Sequence, residues 1–257
     1  MIPLPHNIPP IGIGTHKIGQ GALTKALEIG YRHLDLATAY QNLPLVANAI
    51  KSSSLRREEL ILTLKILPDD TKRCIEKALD DLCTDHLDFL LLHVPYTDFG
   101  KFSQTLHPFL QKGIVRRFGV SNFSESDLIC LKEHSLEPCV NQIEIHPYYF
   151  PDRLIKASTQ MGAHPVAYRP LAGGKTALLQ DPVITQIAKA KEMTPSQIAI
   201  AWLLTKGIPC IVKSEKEEHL KENIQAISIR LTQEEILHIN QMNAKAIRTC
   251  TSWIKTA

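Results

Sequence analysis

No stretch of this sequence is long and apolar enough to cross a bilayer. The longest uninterrupted apolar run is IAIAWLL, 198–204, far short of the ~20 residues that a spanning helix needs. Charge of one sign is also scarce: the formal net charge is +3 over 257 residues. No dense Lys/Arg tract with interleaved aromatics occurs, so the footprint of a nucleic-acid binder is missing. The N-terminus, MIPLPHNIPPIGIG, has three prolines before residue 10 and no basic segment, so no secretory signal is expected. The cysteines Cys74, Cys83, Cys130, Cys139, Cys210 and Cys250 form neither C-x-x-C nor a zinc spacing. They are expected to be reduced, buried thiols in a cytoplasmic protein.

What is present is an ordinary globular composition, 44% hydrophobic and 21% charged, with ample material for a core. Short β-rich runs recur along the chain: IGIGT 11–15, HLDL 33–36, LILTLK 60–65, LDFLLLH 87–93, VRRFGVS 115–121, CVNQIEI 139–145, HPVAY 164–168 and IPCIVK 208–213. Several are almost continuous in Leu, Ile and Val, as strands buried on both faces should be. Helical patterns with recognisable starts lie between them. DDTKRCIEKALDDL, 69–82, opens on Asp/Thr caps, and SESDLICLKEH, 124–134, on S-x-x-D. TPSQIAIAWLLTKG, 194–207, has Thr194 at the N-cap, Pro195 behind it, Gln197 closing a capping box and Gly207 as a stop.

Eight such units in 257 residues average about 32 residues each, the size of a (β/α)8 TIM barrel. No Pro/Gly/Ser-rich linker divides the chain, so residues 1–257 are read as one domain. A doubly wound dinucleotide fold predicts G-x-G-x-x-G after the first strand. Here Gly12 and Gly14 are followed by Lys17 where the third glycine belongs, and the barrel is the better reading.

Active sites of such barrels sit at the C-terminal strand ends. Strand two ends at Asp35, strand three at Lys65 and strand four at His93, with Tyr40 on the loop after strand two. Each alone has an ordinary explanation: a helix cap, a snorkelling lysine or a core histidine. Together at one rim they form a proton-handling set. Asp35 and Lys65 on neighbouring strands can pair. An ammonium ~4 Å from a phenol, at an effective dielectric near 20, favours phenolate by roughly 4 kcal/mol at most. His93 can hydrogen-bond a substrate oxygen or pass a proton. This apparatus protonates a carbonyl oxygen or, in reverse, deprotonates an alcohol. It contains no hydride source, so a redox cofactor is required.

With these residues in view, the sequence resembles the aldo-keto reductases, most closely their short bacterial 2,5-diketo-gluconate and methylglyoxal reductases. GYRHLDLATAY, LTLK and LDFLLLHVP match the family's catalytic strands; GIVRRFGVSNF, VNQIEIHPYY and VAYRPLAGG match its cofactor segments. The resemblance implies Tyr40 as general acid, Lys65 as the group lowering its pKa, Asp35 as counter-ion and His93 as the residue orienting the carbonyl. It implies Ser121, Asn122 and Gln142 on a nicotinamide carboxamide, Tyr168 stacked on the ring, and further cofactor contacts from Thr15, Asp35, Arg169 and Leu171. VKSEKEEHLKEN, 212–223, corresponds to the adenine-phosphate site, with Lys213, Ser214, Lys216, His219, Glu222 and Asn223. In it Ser214 and Glu217 read as an S-x-x-E capping box, and Lys213 and Lys216 as charge for a 2′-phosphate. NADPH is the expected cofactor, with NAD an option, and the expected partner is a small carbonyl substrate. No long apolar helix face demands a second chain, so a monomer is expected.

The sequence departs from the family in several places. QNLP, 41–44, replaces Gly-Asn-Glu, with Pro44 expected to start a helix. His219 stands where an arginine commonly grips the 2′-phosphate, which weakens the case for a strong NADPH preference. His16, Leu67 and Val94 replace pocket aromatics and predict a more open or differently shaped pocket. Arg169, where serine is common, reads as a phosphate contact or a surface ion pair. The N-terminal hairpin is missing and the tail after residue 245 is short, with Trp253 as a candidate to reach the pocket. Two other classes compete with the reductase. A metal-dependent barrel hydrolase would use His33, Asp35, His93 and His146, but shows H-L-D instead of H-x-H; a cofactor sensor would keep the fold without turnover.

Overall fold

The computed structural model describes residues 7–67, 70–95 and 98–250. Eight strands close into a barrel in sequence order: β1 (Ile11–Gly14), β2 (His33–Ala37), β3 (Ile61–Ile66), β4 (Phe89–Leu92), β5 (Phe118–Ser121), β6 (Val140–Glu144), β7 (His164–Tyr168) and β8 (Cys210–Val212). Each overlaps a run read as strand from its Leu/Ile/Val content. All neighbours are parallel, and β8 closes on β1 with Val212 opposite Ile13.

Around the barrel run α1 (Gln20–Ile29), α2 (Leu43–Ser52), α3 (Thr71–Leu82), α4 (Phe99–Gln111), α5 (Glu125–Glu133), α6 (Asp152–Gln160), α7 (Pro182–Ala190), α8 (Pro195–Thr205), α9 (Glu217–Gln225) and α10 (Gln233–Gln241). Their starts follow local chemistry. Asp70 caps α3, Ser124 and Asp127 form a capping box on α5, and Thr194 and Gln197 form one on α8. Pro44 lies in the first turn of α2, where its missing N–H has no helical partner to lose. Among the described residues no helix is long and apolar enough to cross a membrane.

The main core lies between strands and helices, with Leu34, Leu36, Leu62, Leu64 and Leu90 of the sheet against Leu23, Ile75 and Trp202 of the helices. Burying each such side chain contributes roughly 1.5–3 kcal/mol. A second, smaller cluster fills the barrel: Ile8, Phe89, Leu91, Val140, Val166 and Ile211. Because side chains alternate along a strand, the same faces that carry this cluster also carry Gln142, His93 and Tyr168 higher up. Gly119 makes room inside, since a Cβ there would come within 2.5 Å of Val140 and 2.6 Å of Leu91. The barrel is therefore plugged by hydrocarbon at its floor and polar at its mouth.

Candidate active site

Asp35 and Lys65 lie on adjacent strands, with side-chain exposures of 5% and 3%. The Lys65 ammonium donates to Asp35 Oδ2, which gives the buried carboxylate its partner. Gln142, from β6, completes the set. Its amide donates to Asp35 Oδ1 at 2.7 Å, and its Oε1 accepts from Lys65 at 3.1 Å. A buried ion pair is worth keeping only when its remaining lone pairs and protons are satisfied, and Gln142 satisfies one on each partner.

Tyr40 arrives from a short turn, Thr38–Tyr40, ended by Gln41 in the left-handed region at φ 54°. The turn returns its ring to the mouth, where the Lys65 ammonium lies 5.5 Å from the ring centroid. Two imidazoles flank it: His16 at 4.9 Å between centroids and His93 at 6.2 Å, edge-on. Burial pushes the Tyr40 hydroxyl above the ordinary phenol range, and Lys65 pulls it down by less. The expected lowering by Lys65 is thus present but is outweighed, because the phenol is itself removed from water. Burial also opposes the Lys65 charge, yet Asp35 and Tyr40 outweigh it and the ammonium ends above its usual value. Burial, with Lys65 next, brings His93 down to about 4. His93 is then a neutral hydrogen-bond donor rather than an acid.

A cavity of 820 Å³ opens over these residues, lined by Asp35, Tyr40, Lys65, His93, Ser121, Asn122, Gln142, Tyr168, Arg169, Leu171 and Lys213 among others. Tyr168 donates to Asn122 Oδ1 at 2.7 Å, and Asn122 Nδ2 donates to the His93 carbonyl at 3.0 Å. Asn122 sits at φ 64°, a conformation its short polar side chain tolerates. Ser121 donates to the Gln142 carbonyl at 2.9 Å. Burial raises the Tyr168 hydroxyl far above the ordinary range.

The remaining cofactor candidates stand apart from the lining. Thr15 turns its hydroxyl to the Asp35 carbonyl at 3.0 Å, supporting the end of β2. Lys216 and His219 are exposed, Ser214 and Glu222 half-buried and Asn223 buried. The capping box expected of Ser214 and Glu217 does not form. α9 starts later, with Lys216 at its N-cap, and the Ser214 hydroxyl accepts from the Lys216 amide at 3.0 Å. Glu217 instead pairs with Lys221, four residues on, at 2.8 Å, a contact that competes for the same carboxylate. Lys213 is paired with Glu215 at 3.3 Å.

Other expectations need correcting. Arg169 lines the cavity and donates to the Thr249 hydroxyl at 3.3 Å. His16 lines the cavity, whereas Leu67 and Val94 do not. None of the six cysteines forms a disulfide, and only Cys210 and Cys250 are buried while Cys83 is exposed; Cys83 terminates α3 in the left-handed region, facing solvent. Trp253 lies outside the described residues. Of the residues of the hydrolase alternative, Asp35 and His93 share the cavity, while His33 bonds Thr63 at 2.8 Å, His146 bonds Glu144 at 3.1 Å, and Asp35 is held by Lys65 and Gln142.

Cys250, Pro170, Leu179 and Ile211 also line the cavity and escaped the sequence reading. Pro170 had a signal, standing between Arg169 and Leu171. Cys250 had none, because only the tertiary path of the chain brings it there.

Comparison with known proteins agrees with this geometry. Residues 10–244 match the model of the Aldo/keto reductase family. Methylglyoxal reductase DkgA of Salmonella typhimurium is 34% identical over 250 residues, covering 92% of this chain and 90% of that protein. Aldo-keto reductase family 1 member A1-A of Danio rerio is 30% identical, covering 92% and 86%. An aldo-keto reductase enzyme from a Medee basin deep-sea metagenome library, MGS-M4, superposes with a TM-score of 0.91 at 29% identity, over 100% of both chains. The chain is an oxidoreductase that belongs to the aldo/keto reductase family.

Proposed function

We propose that this chain, folded as one domain, is an NADPH-dependent reductase of small aldehydes and ketones, α-dicarbonyls and keto sugars included. The observation that carries the reading is the buried Asp35–Lys65 pair with its ammonium 5.5 Å from the Tyr40 ring centroid and His93 edge-on to that ring at 6.2 Å. The donor set fits a dinucleotide. Amide and hydroxyl groups of Ser121, Asn122 and Gln142 face the cavity beside the Tyr168 ring, and the cations Arg169 and Lys213 stand at its rim. When bound, a nicotinamide supplies the hydride that reduces the carbonyl carbon.

The protein's own residues do the rest. The His93 N–H and the Tyr40 hydroxyl hold the carbonyl oxygen, which fixes the carbon's exposed face. As charge develops on that oxygen, Tyr40 transfers its proton to it. The phenolate left behind faces the Lys65 ammonium, and Asp35 keeps that ammonium charged throughout. Lys213, Lys216 and His219 form the candidate contact for a 2′-phosphate, in competition with Glu215 for Lys213. Six cysteines outside any disulfide support a reducing compartment such as the cytoplasm. A monomer is proposed as the working unit.

The test is the loss of NADPH absorbance with methylglyoxal, glyceraldehyde and benzaldehyde, beside fluorescence titrations with NADPH and NADH. Turnover of at least one aldehyde supports the reductase. Tight cofactor binding without turnover across a broad panel favours a sensor, and no binding of either cofactor overturns both.

A further inference from the structure

Glu144 ends β6, directly opposite Tyr168 of β7, and its side chain has no exposed surface. A carboxylate so placed needs every lone pair answered, and here the answers come from the far end of the chain. Oε1 accepts from the Thr249 amide at 2.7 Å and from its hydroxyl at 2.5 Å. Oε2 accepts from the Cys250 amide at 2.8 Å, with the Arg248 guanidinium 3.9 Å away. His146 bonds Oε1 at 3.1 Å from the same strand's exit.

The tail has other tethers: Arg169 donates to the Thr249 hydroxyl at 3.3 Å, and more act further back. The Ile247 amide donates to the Tyr148 carbonyl at 2.9 Å, and Lys245 pairs with Asp181 at 2.5 Å. At Glu144 the backbone amides of Thr249 and Cys250 are themselves held. Of those two, Cys250 lines the cavity and is 6% exposed, with its thiol against the Tyr168 hydroxyl. Glu144 itself is absent from the lining.

We propose that Glu144 is a positioning residue that fastens the tail as a wall of the reaction cavity, and so limits the bulk of the carbonyl substituent admitted beside Tyr168. The fastening stands on contacts alone; the limit on substrate bulk rests on the reductase reading above. Glu144 touches no reacting group, so its loss opens the wall and leaves the proton chemistry of Tyr40 intact. A carboxylate that only stabilised the fold would lower turnover of all substrates together.

The experiment uses the full chain with Glu144→Gln and, as a milder second variant, Thr249→Val. Site-resolved hydrogen exchange should show the Thr249 and Cys250 amides exchanging about tenfold faster or more, with the barrel strands unchanged. Alkylation of Cys250 by N-ethylmaleimide, read by peptide mass spectrometry, should accelerate alongside. The kcat/KM ratio of naphthaldehyde to propanal should rise about tenfold through KM for the bulky aldehyde, with kcat for propanal within about threefold. Unchanged exchange in both folded variants overturns the fastening. Faster exchange with an unchanged ratio overturns the substrate limit. If the wild type reduces neither aldehyde, the reductase reading fails, and exchange and alkylation still decide whether Glu144 holds the tail.

Discussion

Gln142 reaches the Asp35 carboxylate at 2.7 Å although 107 residues separate them in sequence and three strands stand between β2 and β6 in the barrel order. The barrel interior is thus crossed at the level of the site by a side-chain bond. It couples a residue proposed to touch the cofactor to the buried partner of Lys65.

Removing that counter-ion has a cost measurable without any substrate. Asp35→Asn leaves the Lys65 ammonium buried and unpaired, and should destabilise the fold by about 3–5 kcal/mol in urea unfolding. Adding Lys65→Met should recover a large part of the loss, because the stranded charge goes with it. A single variant as stable as the parent would mean that the pair is not buried as described.

Tyr40→Phe should lower kcat for carbonyl reduction by about 10²-fold or more and leave the NADPH dissociation constant within about twofold. Because burial holds the Tyr40 proton above the ordinary phenol range, wild-type reduction should stay flat through neutral pH. Alcohol oxidation needs the phenolate and should rise with pH. Equal pH profiles in the two directions would remove Tyr40 from the proton transfer.

Acid should begin to weaken the fold above the ordinary carboxylate range. Burial lowers His33 and His93 to about 4 in the folded chain, against about 6.5 unfolded. Between these values the unfolded chain binds more protons than the folded one. The stability these imidazoles contribute is therefore complete above about pH 6.5 and is lost as pH falls toward about 4. Urea midpoints should drop across that window, and His33→Gln should flatten part of the drop.

His219→Arg should tighten NADPH by about tenfold or more and leave NADH unchanged, since only the former carries a 2′-phosphate for the guanidinium fork. Fluorescence titration reads both. Equal changes for the two cofactors would place residue 219 away from that phosphate.

The barrel was legible because parallel strands covered on both faces read as runs such as FLLL and HLDLA, and because Ser124 and Thr194 announce helix starts chemically. That Asp35, Lys65 and His93 share one cavity with Tyr40 was legible from three strand ends and the loop after β2. What escaped depended on competition or distance. Ser214 and Glu217 have the right spacing for a box, but Lys221 takes the glutamate. Lys65 acts on Tyr40 as expected, yet the burial that outweighs it is a property of the assembled mouth. Glu144 meets Thr249 across 105 residues, with no local pattern to mark the encounter.

Closure of β8 on β1 gives every strand two neighbours. A sheet with a free border offers its unpaired N–H and C=O groups to any extended chain nearby, as a template for fibres or swapped domains. A ring has no such border. Among the described residues the sheet therefore offers no edge to which an extended partner could add as a further strand.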